Sequence, residues 1–232
     1  MNTPLADAGK RQAALVFIFI TVLIDVLAFG VIIPVLPHLV KEFVGGDTST
    51  AAYWTGAFAF SFSLVQFFSA PIQGALSDRY GRRPVILLSC FGLGIDFIFM
   101  ALAPNLAWLF IGRIISAITS ASFTTANAYI ADITAPEQRA KSFGMIGAAF
   151  GLGFILGPAL GGILGGDNAA TANISRVALS AAAMSALAFF ATLAGLKESH
   201  GPEHRAIAKA QPRGMQWGLL SRPALRHLLA MT

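Results

Sequence analysis

The chain has 232 residues, 56% of them hydrophobic and only 12% charged, with a mean hydropathy of +0.69 and a formal net charge of +5. Soluble domains carry roughly 25% charged residues, so this composition excludes an ordinary soluble protein and places the chain in the membrane class. A single cysteine, Cys90, excludes a disulfide framework within the chain.

A bilayer core about 30 Å thick needs about 20 apolar residues in a helix. Six segments qualify. The first runs from Ala13 to Leu36 and ends at Pro34 and Pro37. It follows a short polar N-terminus and exceeds a signal-peptide core, so it is read as a retained span. The second runs from Tyr53 to Leu76, with Pro71 near its end. The third starts at Pro84, a residue suited to a first helical turn, and stops near Pro104. The fourth runs from Leu106 to Ile130, and the short link before it makes spans 3 and 4 antiparallel neighbours. The fifth, Ser142 to Leu164, is crowded with glycine. The sixth runs from Ile174 to Leu196.

The loops set the orientation. With the N-terminus inside, Lys41 and Arg176 are the only basic residues in outside loops, and Arg113 lies within a span. Every other lysine and arginine falls inside, a strong positive-inside bias. Topology therefore accounts for the basic balance, and no nucleic-acid partner is implied. Residues 1–12 are a cytoplasmic N-terminus, 13–196 the six-span bundle, and 197–221 a basic cytoplasmic linker. Residues 222–232 turn apolar again and read as the truncated start of a second bundle and its seventh span.

Three groups of residues stand out. Between spans 2 and 3 lies Gly74-Ala-Leu-Ser-Asp78-Arg-Tyr-Gly81-Arg82-Arg83-Pro84. Asp78 sits beside a helix C-terminus, where a negative charge is unfavourable, so it wants another partner. Span 5 carries Gly147, Gly151, Gly157-Pro158 and Gly161-Gly162. Glycines four apart let helix backbones approach closely, which by itself implies helix packing, and Pro158 removes a backbone hydrogen bond. Ionisable residues within spans are functional candidates by default: Asp25 in span 1, Asp96 in span 3 and Arg113 in span 4. At ~1.5 Å per residue, Asp96 and Arg113 lie at one depth, ~10 Å from the outer end of their spans. Either Asp96 or the somewhat deeper Asp25 is placed to pair with Arg113. Thr119, Ser120, Ser122, Thr124, Thr125 and Asn127 make span 4 polar, which suits either a water-lined wall or hydroxyl-mediated packing.

The G-x-L-x-D-R-x-G-R-R-P loop closely resembles that of the major facilitator superfamily of transporters. The span 5 pattern G-x-x-x-G…G-P-x-x-G-G resembles that of its drug:proton antiporters. Gly112-Arg113-Ile-Ile-Ser116-Ala117 resembles the R-x-x-x-G motif of span 4, with Ala117 in place of the glycine. Together with Leu23-Ile-Asp25…Phe29-Gly30…Pro34-Val-Leu-Pro37 and Ala128-Tyr-Ile-Ala-Asp132-Ile-Thr134, these are similar to the tetracycline efflux group of twelve-span antiporters, over about Gln12–Leu196.

The resemblance implies an all-α membrane protein: the six-span N-terminal bundle of the major facilitator fold plus the start of a seventh span. It implies proton-coupled efflux of a drug-like compound such as tetracycline, with no cofactor beyond the proton gradient. Asp25, Arg113, Asp96 and Asn127 are the expected proton-coupling and cavity residues. Asp78, Arg82 and Asp132 are the expected cytoplasmic charge relay and gate. The expected partners are substrate, protons, lipid, and either a C-terminal half or a second copy. The expected location is the inner (plasma) membrane. Two other readings stand beside it: an inactive fragment or assembly partner, and a sugar or metabolite transporter of the same superfamily. No P-loop and no nucleophile–base constellation is present, so no enzyme is read. Cys90 and the four histidines show no ligand pattern.

Overall fold

The computed structural model describes residues 4–165 and 174–199. Eight helices follow one another: α1 Pro4–Ile32, α2 Val35–Phe43, α3 Thr48–Tyr80, α4 Arg82–Leu102, α5 Leu106–Thr119, α6 Ser122–Ile133, α7 Arg139–Gly165 and α8 Ile174–Gly195, with a short 3-10 turn at Pro136–Gln138. They make six spans long and apolar enough to cross a membrane. The expected linker beyond Ser199 and the start of a seventh span lie outside the described residues, as does the turn before α8.

Two spans are each built from two helices. Span 1 joins α1 to α2 and reaches Phe43, beyond the expected stop at Pro37. Pro34 is the N-cap of α2 and Pro37 lies in its first turn, where a missing N–H costs no hydrogen bond. Span 4 joins α5 to α6, and its break at Ser120–Ala121 was not anticipated from the sequence. Helices α3 and α7 run on through Pro71 and Pro158.

Helix α1 packs on α7 and α8, α4 packs on α5 and α8, and α3 packs on α5. Span 1 on span 5 is thus mirrored by span 4 on span 2, the exchange expected when two three-helix units form one bundle. The α1–α7 contact is a backbone contact. A Cβ built on Gly157 would lie 2.6 Å from the Gly30 Cα, one on Gly153 would lie 2.7 Å from Val26 Cγ1, and one on Gly161 would strike the Val31 carbonyl.

Two apolar clusters fill the bundle, one around Val31, Phe58, Phe97 and Leu109, the other around Ile18, Ile86, Tyr129 and Ile146. Along several helices the change from one cluster to the other falls beside a buried polar residue: Asp25 on α1, Ser89 on α4, Ser185 on α8. These polar groups form a layer at mid-depth. Most of α3 stays uncovered, with Phe60, Phe67 and Phe68 each at least 65% exposed.

Candidate functional site

Asp25 sits midway along span 1, on a helix otherwise apolar at this depth. It is 7% exposed. Its Oδ2 accepts a 2.5 Å hydrogen bond from Ser122 Oγ, the first residue of α6. Its Oδ1 is buried with no hydrogen-bond donor, and the Cys90 thiol of α4 lies beside the carboxyl. The break in span 4 starts α6 at the level of this carboxylate.

Asp25 lines a cavity of about 280 Å³. Polar groups come from Gln66, Ser89, Ser116, Ser120 and Thr124. Much of the remaining wall is aromatic. Phe123 and Phe150 lie 4.9 Å apart between ring centroids, Phe150 stacks on Phe154 at 5.0 Å, and Phe154 meets Phe29 at 6.2 Å. Polar groups together with an aromatic wall suit an amphipathic ring compound.

Of the four residues expected in the cavity, Asp25 alone lines it. Arg113 pairs with Asp96, not with Asp25. Arg113 Nε donates to Asp96 Oδ1 at 3.1 Å and Nη2 to Oδ2, a bidentate pair with side chains 8% and 2% exposed. Such a fork matches carboxylate geometry. Gly112 admits it, because a Cβ there would stand 2.9 Å from Asp96 Oδ1. Asn127 turns its Nδ2 to the Phe123 carbonyl at 3.0 Å and does not line the cavity. Gln66, Ser89, Phe123, Phe150 and Phe154 do not stand out as site residues in the sequence. For Gln66 and Ser89 the available signal was a polar side chain inside an apolar span.

The three expected relay residues do meet. Arg82 Nη1 is 2.8 Å from Asp78 Oδ1, and Arg82 Nε is 3.1 Å from Asp132 Oδ2. Arg82 thereby ties the end of α3 to the end of α6. Residues just past α8 complete the cluster. Glu198 accepts from the backbone N–H groups of Arg82 at 2.8 Å and Arg83 at 3.2 Å, capping α4. Ser199 Oγ donates to Asp132 Oδ2 at 3.1 Å, and Tyr129 donates to the Lys197 carbonyl at 2.9 Å. Gly81 turns the chain at φ 111°, a conformation that favours glycine, and a Cβ there would collide with the Glu198 carboxylate.

The span 5 glycines divide. Gly157 and Gly161 face α1, while Gly147, Gly151 and Gly162 have open space where a Cβ would sit.

This architecture has clear relatives. The family model of the Major Facilitator Superfamily matches residues 18–232. The chain belongs to that superfamily and is a multi-pass membrane protein of a transporter class. It is 41% identical over 198 residues to the class C tetracycline resistance protein of Escherichia coli, covering 85% of this chain and 48% of that protein. It is 42% identical over 190 residues to the class G tetracycline resistance protein of Vibrio anguillarum, covering 82% and 46%. Among solved structures it resembles the human organic anion transporter MFSD10 (TETRAN), with a TM-score of 0.71 at 26% identity, over 88% of this chain and 50% of that one. The chain spans about half the length of the curated relatives it matches.

Proposed function

We propose that the chain forms the N-terminal half of a proton-coupled exporter of drug-like compounds such as tetracycline. The observation that carries this reading is Asp25: a buried carboxylate at mid-depth, with one oxygen unpartnered, on the wall of an aromatic cavity. A carboxyl so placed exchanges protons with water when the cavity is open and binds a cationic substrate when it is deprotonated. The similarity to tetracycline resistance proteins supports the substrate class. The proton gradient drives transport, with no cofactor.

Asp96 and Arg113 serve here as a neutral strut behind the cavity, with Ser116 between strut and cavity. Asp78, Arg82 and Asp132 act as the cytoplasmic gate, and the glycine face of span 5 sets the α1–α7 spacing. The N-terminus is cytoplasmic and the membrane is the bacterial inner membrane, as the distribution of basic residues favours.

One six-span bundle supplies one wall of a midplane site. Transport therefore needs a second bundle, either a C-terminal half or a second copy. The test is tetracycline accumulation in a drug-sensitive bacterium, with and without an uncoupler. The chain is expressed alone and together with the C-terminal half of the class C relative. Uncoupler-sensitive exclusion in either setting supports the reading. Accumulation equal to that of empty cells in both, with the chain present in the membrane, overturns it.

A further inference from the structure

Span 4 breaks where it passes Asp25, and the break is held from outside. At Ser120, with φ −71° and ψ 78°, the backbone makes an inverse γ-turn, and the Ala121 N–H donates to the Thr119 carbonyl at 2.8 Å. Ser89 of α4, 3% exposed, closes over this turn. Its hydroxyl donates to the same Thr119 carbonyl at 2.5 Å and accepts from the same Ala121 N–H at 2.7 Å. In an unbroken helix both groups would find partners four residues away. Here they are met by each other and by Ser89, which matters because bare backbone groups are costly in a membrane.

The neighbouring residues serve the same turn. Gln73 of α3 donates to the Ile118 carbonyl, and Gln66 of α3 donates to Ser120 Oγ at 3.3 Å. Gly92, nearly one turn on from Ser89, leaves room for Thr119, whose side chain a Cβ at that position would strike. The chain resumes as α6, whose opening residue Ser122 reaches Asp25.

We propose that Ser89 is a positioning residue for the Asp25 site. By clamping Thr119 and Ala121 it fixes the direction in which α6 sets out, and so delivers the Ser122 hydroxyl to the Asp25 carboxylate. Its functional weight rests on the reading of Asp25 as the proton-exchanging group; the clamp itself is a matter of geometry. Around Asp25, α4 contributes the Cys90 thiol, α6 the Ser122 hydroxyl, α3 Gln66 and Phe62, and α7 Phe150 and Phe154. Among the described residues Asp25 is the only charged one lining the cavity.

The test uses the full 232-residue chain inserted in bacterial membranes. Labelling of Asp25 by dicyclohexylcarbodiimide, which reacts with protonated carboxyls shielded from water, is followed against pH, with Asp25→Asn as the background. Ser122→Ala should displace the labelling midpoint by about one pH unit, the size expected when a hydrogen bond to a charged group is lost. Ser89→Ala should produce the same displacement, and the double variant no more than either single one. Ser89→Thr, which keeps the hydroxyl, should restore the original profile.

A Ser89→Ala profile lying on that of the unaltered chain would overturn the proposal. So would a Ser122→Ala profile without displacement, or displacements that add. If Ser89→Ala does not accumulate in the membrane, Ser89→Cys carries the same comparison, being close in size and a weaker hydrogen-bonding group. Coupled transport retained by Asp25→Asn in a complete carrier would instead overturn the proton-exchange reading and leave the labelling comparison standing.

Discussion

Asp25 of α1 and Ser122 of α6 meet at 2.5 Å, at the level where span 4 is interrupted, and the second carboxylate oxygen of Asp25 has no donor. Asp96 presents the opposite arrangement, with both of its oxygens engaged by Arg113. Two aspartates of similar depth thus have different surroundings. The satisfied one holds helices together, and the half-satisfied one retains capacity for a proton or a cation.

Asp25→Asn preserves shape and removes proton exchange. In a full-length carrier built on this bundle, uncoupler-sensitive tetracycline exclusion should fall to the level of empty cells, with the amount of protein in the membrane unchanged. Coupled exclusion retained by this variant would remove Asp25 from the mechanism.

Breaking the Asp96–Arg113 pair from one side leaves an uncompensated buried charge, which costs about 3–5 kcal/mol. Asp96→Asn or Arg113→Gln alone should therefore sharply lower the melting temperature of the detergent-solubilised chain. The combined variant should recover much of that loss, since no lone charge remains. Single-variant melting curves that match the unaltered chain would show that the pair is not a strut.

The glycines of α7 should separate by face. Gly157→Ala forces a methyl against the Gly30 backbone and should destabilise by about 1–3 kcal/mol, as overpacking does. Gly147→Ala and Gly151→Ala meet open space and should leave stability equal or slightly higher, since alanine favours helix. Thermal unfolding of the three variants side by side decides it.

Glu198 reaches back to cap α4 while Ser199 and Tyr129 pin its flanks. Glu198→Ala should lose about 1 kcal/mol, the usual contribution of an N-terminal cap. Gly81→Ala should cost more, because it combines an unfavourable backbone angle with a collision against the Glu198 carboxylate. Limited proteolysis after α8 should quicken in both. Unchanged cleavage would mean that the segment is not anchored there.

Asp47 caps α3, accepting from the Thr50 N–H at 2.9 Å and from Ser49 Oγ at 3.0 Å. These bonds, with Thr50 the larger cause, lower its carboxyl from the ordinary 3.8 to about 2. A carboxylate depressed in the folded state stabilises it above the unfolded value, and that stability fades as pH falls through the folded one. The melting-temperature gap between the unaltered chain and Asp47→Ala should hold steady above about pH 4 and close near pH 2. A gap independent of pH would mean that the side chain caps without its charge.

Much of this protein is legible from the sequence alone. Six apolar runs of bilayer length determine the spans, because the bilayer sorts residues by transfer free energy and needs no partner to do so. The meeting of Asp78, Arg82 and Asp132 was implied by the family resemblance. The α1–α7 contact was foreshadowed by glycines four apart, but which of them face α1 was not.

Tertiary structure alone decided the partner of Arg113. At one depth both aspartates were open to it, and helix rotation, which sequence spacing does not reveal, gave it to Asp96. It alone decided the break in span 4 as well. Ser120 and Ala121 carry no breaker residue; at the interruption Ser89 and Gln73, distant in sequence, supply hydrogen bonds to the backbone of Thr119, Ala121 and Ile118. Local sequence dictates groups that satisfy themselves within one helix. Groups satisfied by another helix become visible only once the bundle is assembled.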